Sequence, residues 1–509
     1  MKRLIGVLAL FFMSAAVWAR PNFNIDSLSF FPISGVRGCW GYVDSVTQRE
    51  FALICAGNSL KIYDVTGVIT NAPVPGFPLS IPATGGELKQ IRPYSHYLFA
   101  VNQSGVALQV IDVSQIATNP SAVGTVANYA SLSSNQGAHS VHVDGNYAYL
   151  GMNGNFPASW RIINISNPLL PVQVGQYQTP LGGFNDSHDS YVKGNLAYVA
   201  FLAAGFSVVD ISSPAAPVAL SNVVYPGAFT HNCWTTEDGK YLFTTDETFD
   251  GIIRVWDIQN PVSPLQVGRW AAGVPGSDVH NVQVKGNFLY ASYYGEGVEI
   301  LDIEEPADPI EVGHYDTDPS ASGFTGCWDF FNFFPSGVLV ASNYYGATNP
   351  GMWLLRFNGT QAARIRGTVR NQLDSTPLAG VAVRFLDAAR ETESDAGGNY
   401  ITRSEGGSRA LEFSLAGFFP ETVTVNAVLG DTLTADVALV STCAGARGDM
   451  NADGNFTPAD AVLILNCIFL GVGICGLCFT DVDCNGILSA ADIVRELNRI
   501  FLGIAFPCS

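Results

Sequence analysis

Positive charge is scarce in this sequence. Its 509 residues include 25 Lys and Arg against 44 Asp and Glu, a formal net charge of −19. Phosphate backbones must be neutralised by cations, so a nucleic-acid partner is excluded. A surplus of carboxylates suits hard cations such as calcium instead. Long apolar runs are missing too. The most apolar stretch, residues 4–17, follows Met1-Lys2-Arg3 and precedes Ala19. A bilayer span needs about 20 residues, so this stretch is short for one. A basic start, a brief apolar run and a small residue at the cut predict a signal peptide, residues 1–19. The expected mature protein is secreted and extracellular, with no direct membrane span. Also absent are GxSxG, HExxH, P-loop and Rossmann fingerprints. A glycosidase-like pair of carboxylates leaves no such fingerprint, so the sequence leaves an enzyme open, either polysaccharide-active or metal-dependent.

What is present is apolar and turn-rich. The chain is 48% hydrophobic, with 52 Gly and 27 Pro. Short Val/Ile/Tyr/Phe runs between turn residues predict a mainly β protein of several domains. Ten cysteines are expected to be oxidised outside the cytoplasm. Four lie in the body (Cys39, Cys55, Cys233, Cys327). Six crowd the tail (Cys443, Cys467, Cys475, Cys478, Cys484, Cys508), where spacing alone cannot decide the pairing. Cys475 and Cys478 form a CxxC, but no βαβ context or second CxxC accompanies it, so a structural disulfide set is favoured over redox or zinc chemistry.

Four segments repeat at roughly 45-residue spacing. They open HSVHVDGNYAYLG at His139, HDSYVKGNLAYVA at His188, HNCWTTEDGKYLFTT at His231 and HNVQVKGNFLYASYY at His280. Each continues into a phrase such as FSVVDISSPAAPVAL or VEILDIEEPADPIEVG. Weaker copies begin at Gly38-Cys39-Trp40, near Leu88 and at Gly326-Cys327-Trp328, making seven. Each copy reads as four strands, the pattern of a β-propeller blade. The last copy lacks a fourth strand. Residues 26–32 (DSLSFFP) are expected to supply it beside residues 352–357, closing a seven-bladed ring over 25–357. The phrases LQVIDVS, FSVVDIS and VEILDIE resemble LVIVD repeats. With GCWGYVD and THNCWTTEDGKYLFTTDE, the segment resembles the secreted choice-of-anchor propellers, a likeness that implies surface attachment rather than a particular chemistry.

Residues 363–440 change character. IRGTVRN, TPLAGVAVRFLD, SDAGGNYIT and LEFSLAGFFPETVTV predict a small β-sandwich. It resembles the carboxypeptidase regulatory-like domain, a prealbumin-like sandwich grouped with carbohydrate-binding-like folds. That likeness implies a spacer or a carbohydrate ligand. Phe418 and Phe419 are candidate sugar platforms, although core or turn packing is the plainer account.

The tail, 443–509, carries two twelve-residue loops, DMNADGNFTPAD at 449–460 and DVDCNGILSAAD at 481–492. Calcium takes oxygens from loop positions 1, 3, 5, 7 and 12, with Gly at 6. Asp449, Asn451, Asp453, Asn455 (by its carbonyl) and Asp460 fill the first loop. Asp481, Asp483, Asn485, Ile487 (by its carbonyl) and Asp492 fill the second. Gly454 and Gly486 make the turns, and Thr457 or Ser489 would hold a water. Each loop leads into one apolar helix ending in Gly. Asp at position 12 and a single following helix resemble a type I dockerin. That resemblance implies two calcium ions, a cohesin-like partner and a place in polysaccharide catabolism. The family's usual specificity pair is replaced by Pro458-Ala459 and Ala490-Ala491.

All seven histidines fall within 25–357. His139, His188, His231 and His280 share one repeat position, and Asp186 and Asp278 sit two residues before a histidine. In a propeller the first strand is innermost, so these groups are expected around one mouth of the channel. A hydrogen bond repeated once per blade, a transition-metal site and an organic ligand site remain open alternatives. The three weaker copies are expected to place Arg37, Leu88 and Thr325 there.

Overall fold

The computed structural model describes residues 20–67, 77–102, 106–129, 137–152, 160–181, 187–321, 323–344, 346–372, 375–441, 447–451, 453–473, 475, 477–483, 485 and 487–507. The predicted signal peptide, Asp186, Gly486, Cys443, Cys484 and Cys508 lie outside them. The chain divides into two compact units, Met1–Thr360 and Gln361–Ser509.

Among the described residues, the strands of the first unit form seven four-stranded antiparallel sheets, an arrangement that fits a propeller. Six of the sheets run in chain order. The seventh is built from Cys327–Phe331, Val338–Asn343 and Gly351–Phe357, with Ile25–Pro32 added at its outer edge. There Asp26 faces Arg356 and Phe31 faces Met352. The first strand Val279–Lys285 is buried except at Lys285, whereas the fourth strand Leu265–Trp270 has no fully buried residue. The first strands touch one another in a closed order, from Val36–Val43 through Leu88–Tyr94 and onward to Cys327–Phe331 and back.

Local chemistry explains the repeat. First and second strands join through Gly145, Gly194 or Gly286, all at positive φ, which the hairpin needs and a Cβ would oppose. The third strand ends in an acid or amide that accepts a backbone N–H two residues on. Asp112 takes Ser114, Asp210 takes Ser212 and Asp302 takes Glu304, at 2.8–2.9 Å. This Asx turn is why the repeated phrase closes on Asp.

The second unit begins with two four-stranded sheets. Ile365, Val383, Phe413 and Leu439 from both sheets share one buried core. Phe418 packs against that core, and Phe419 is exposed. Three helices follow among the described residues, a short one at Leu477–Thr480 and two long ones, Pro458–Leu470 and Ala490–Leu502, each long one stopped by a left-handed glycine, Gly471 and Gly503. No helix among the described residues is long and apolar enough to cross a membrane.

The cysteine expectation is corrected in the first unit. Cys39, Cys55, Cys233 and Cys327 are buried free thiols. Burial raises the pKa of each, so they behave as small core residues, not as disulfide partners. In the tail, Cys467 bonds to Cys475, which takes one half of the CxxC into a disulfide.

Candidate functional site at the histidine ring

The first strands carry an extra residue. Their pairing slips between Leu88 and Gln90, Ala138 and Ser140, Thr230 and Asn232, and Cys327 and Asp329. The residue skipped each time is Lys89, His139, His231 or Trp328. Wider slips, from Val36 to Cys39 and from Val279 to Val282, take in Arg37 and His280. His188 lies just before its strand, which starts at Ser190. A β-bulge turns its extra residue out of the ladder, and here these residues converge. The rings of His139, His188, His231 and His280 follow one another with centroids 4.1 Å apart at each step. Trp328 continues the series 4.9 Å from His280. The expectation of Leu88 and Thr325 at this level is therefore corrected to Lys89 and Trp328. Leu88 stays in the ladder opposite Asn102.

One residue further along lies a polar layer. Asn232 and Gln90 donate to Asp189 at 3.0 and 3.2 Å, and Asn281 donates to Asp329 at 3.0 Å. Three residues past the ring comes a packed floor. There Tyr191 meets Trp234 at 4.4 Å, and Arg92 lies over Trp40 at 3.6 Å.

Burial holds all four imidazoles well below their usual pKa, and neighbouring imidazoles add to it, so they are neutral at pH 7. His231 Nδ1 lies 3.0 Å from the His280 carbonyl oxygen. A carbonyl only accepts, so Nδ1 carries the hydrogen and Nε2 presents its lone pair. The Nδ1 atoms of His188 and His280 lack a hydrogen bond of ordinary geometry. A weaker contact of the same kind runs from His188 to the His231 backbone and from His280 to the Trp328 backbone, so a strand-to-strand contact does repeat along the set.

Glu247, absent from the sequence expectations, completes the centre. Its carboxylate oxygens lie 3.7 Å from His231 Nε2 and 4.0 Å from His280 Nε2. The Tyr294 hydroxyl donates to Oε1 at 2.8 Å. Burial pushes the Glu247 pKa up to about 7, and the charge of Asp278 adds to it. Ligand atoms of His231, Glu247 and His280 all lie within 4.8 Å of one another, as do those of His139, His188 and His231. Among the described residues neither group includes Asp278, which is buried with both carboxylate oxygens unpartnered. Glu247 directly follows the second strand Tyr241–Asp246. The residues at that place in the next two sheets are Tyr294 and Tyr344. All three border a cavity of about 610 Å³, with Arg37, Lys89, His139 and Trp328 on its wall. Glu87 faces both cations, 3.0 Å from Arg37 and 3.6 Å from Lys89.

The tail loops gather a second set of carboxylates. Asp449, Asp460, Asp481 and Asp492, at loop positions 1 and 12, are buried. Asp449 accepts from the backbone of Asp453 and of Gly454, and Asp481 from that of Asn485. Asp460 and Asp492 also cap their helices, accepting from Thr457 and Ser489 at 2.9 and 2.8 Å. Asp481, Asp483 and Asp492 bring ligand atoms within 4.8 Å of one another. Asn451, Asp453, Asn455, Asn485 and Ile487 lie on the loop surface, with Ile487 65% exposed.

A search among curated proteins found no match. Residues 137–179, 186–224 and 276–317 each match the LVIVD repeat. These matches bracket His139, His188 and His280, so three of the four ring imidazoles stand in repeats of a β-propeller type.

Proposed function

We propose that this chain is a secreted binding protein held at a surface or in a complex by its tail. In this reading residues 25–357 form a seven-bladed β-propeller, and 363–440 a carboxypeptidase regulatory-like spacer. Residues 443–509 form a dockerin-like module with two calcium ions and a cohesin-like partner. The observation that carries the reading is a doubled apolar surface on the tail. Val462, Leu465, Phe469 and Leu470 are exposed on one helix, and their repeat counterparts Val494, Leu497, Phe501 and Leu502 are exposed on the other. Exposed apolar side chains grouped in this way mark protein contacts. Buried loop carboxylates supply the hard oxygens that calcium takes, and the ion would offset their mutual repulsion.

The cavity is the module's cargo site. Cations on one side and aromatic faces on the other suit an acidic carbohydrate, which offers a carboxylate to Arg37 or Lys89 and a ring to Trp328. Calcium-dependent capture of a cohesin module by the full chain, with titration of uronic-acid oligosaccharides into the cavity, tests both halves. Failure of capture, or calcium-independent capture, removes the docking reading. A second reading, a glycan-active enzyme, is favoured by Glu247, whose pKa near 7 suits a general acid or base. Turnover lost in Glu247→Gln would select it.

A further inference from the structure

We infer that the first unit binds one divalent first-row transition ion between His231 Nε2, His280 Nε2 and the Glu247 carboxylate. The inference concerns the cavity of the ligand-binding reading but does not require the sugar. Donor spacing is the first argument. Metal bonds of roughly 2.0–2.2 Å at a tetrahedral angle set two donors about 3.4 Å apart. His231 Nε2 stands 3.7 Å from one Glu247 oxygen and His280 Nε2 4.0 Å from the other, with one donor atom of each residue within 4.8 Å of the rest, so a modest inward movement of the side chains would seat an ion. Those separations are too long for hydrogen bonds.

The surroundings point the same way. The His280 carbonyl fixes the hydrogen of His231 on Nδ1, and Tyr294 holds one Glu247 oxygen. These are the outer contacts that orient imidazole and carboxylate ligands around a metal. Without a cation, lone pairs and a carboxylate converge in a buried place, with Tyr294 and Asn281 as their side-chain partners. His188, stacked 4.1 Å from His231, stands by as a further nitrogen. Imidazole with carboxylate and no thiolate selects zinc, manganese, iron, nickel or divalent copper over calcium. Glu247 also borders the cavity, so an ion there is reachable from solvent.

The test uses the full chain in excess calcium, so that the tail loops are filled. Zn2+ or Cu2+ is added, unbound metal is removed, and retained metal is counted by elemental mass spectrometry. One ion per chain is expected, with retention falling roughly tenfold or more in Glu247→Gln and in His231→Ala. Glu247→Gln preserves shape, and circular dichroism is the check that it folds. Wild-type protein that retains no ion overturns the site, as does a folded Glu247→Gln that retains as much as wild type. Ion retention without oligosaccharide binding would keep the metal and remove the sugar, and sugar binding to ion-free, metal-refractory protein would do the reverse.

Discussion

Asn281 donates its side-chain amide to Asp329 at 3.0 Å across two neighbouring sheets. Both groups are buried, and Asp329 also accepts from the Cys39 backbone at 3.2 Å. Asn281→Ala would strip a partner from a buried carboxylate at a cost of about 2 kcal/mol. Urea unfolding of the variant should show its midpoint lowered with the slope unchanged; an unmoved midpoint would mean that water replaces the amide.

Arg20 reaches Glu299 at 2.8 Å and also contacts Glu311, and His314 lies 3.0 Å from Glu299. Burial raises the pKa of Glu299 and Glu311 to about 8, against an ordinary value of 4.5. The folded state therefore holds protons that the unfolded state has released, so stability falls as pH rises across that window. Arg20 opposes this by favouring the charged forms. Arg20→Gln should make the loss between about pH 5 and pH 8 steeper, read as urea midpoints at the two values. Equal slopes would show that Arg20 is screened.

Removing residues 20–34 should lower the melting temperature of the whole first unit in one transition, because Ile25–Pro32 occupies an edge of its last sheet. Calorimetry with a single unshifted peak would count against that strand as a closure.

Chelating calcium should destabilise the tail by about 4 kcal/mol where the free ion stands a thousandfold above its dissociation constant. Asp449→Ala with Asp481→Ala should abolish the response to chelator. Phe469→Ser with Phe501→Ser should leave that response intact and weaken partner capture. Melting curves with and without chelator, beside the capture assay, separate ion binding from docking.

Sequence periodicity made the four-strand repeat and the strand at 26–32 legible, because each rests on spacing along the chain. Lys89 and Trp328 were not legible. A bulge adds one residue without disturbing the alternation around it, which hid Lys89 behind Leu88; Thr325 lies three residues before Trp328, ahead of the strand altogether. Glu247 hid for a different reason: it follows a second strand, whereas attention to the histidines favours the first. Comparing the residue after each second strand, Glu247 with Tyr294 and Tyr344, was the signal available. Free buried thiols were illegible because compartment alone suggested oxidation.

The pairing of Ile25–Pro32 with Gly351–Phe357 also sets an order of events during synthesis. The first strand made must wait for the last, since its partner emerges only after every other sheet of the unit. Until Phe357 has left the ribosome the nascent unit keeps an unpaired edge, which can recruit other chains. Stalled or clipped products ending before residue 351 would carry that exposed edge permanently, so the burden of keeping this protein from aggregating falls on whatever escorts the chain until its final strand arrives.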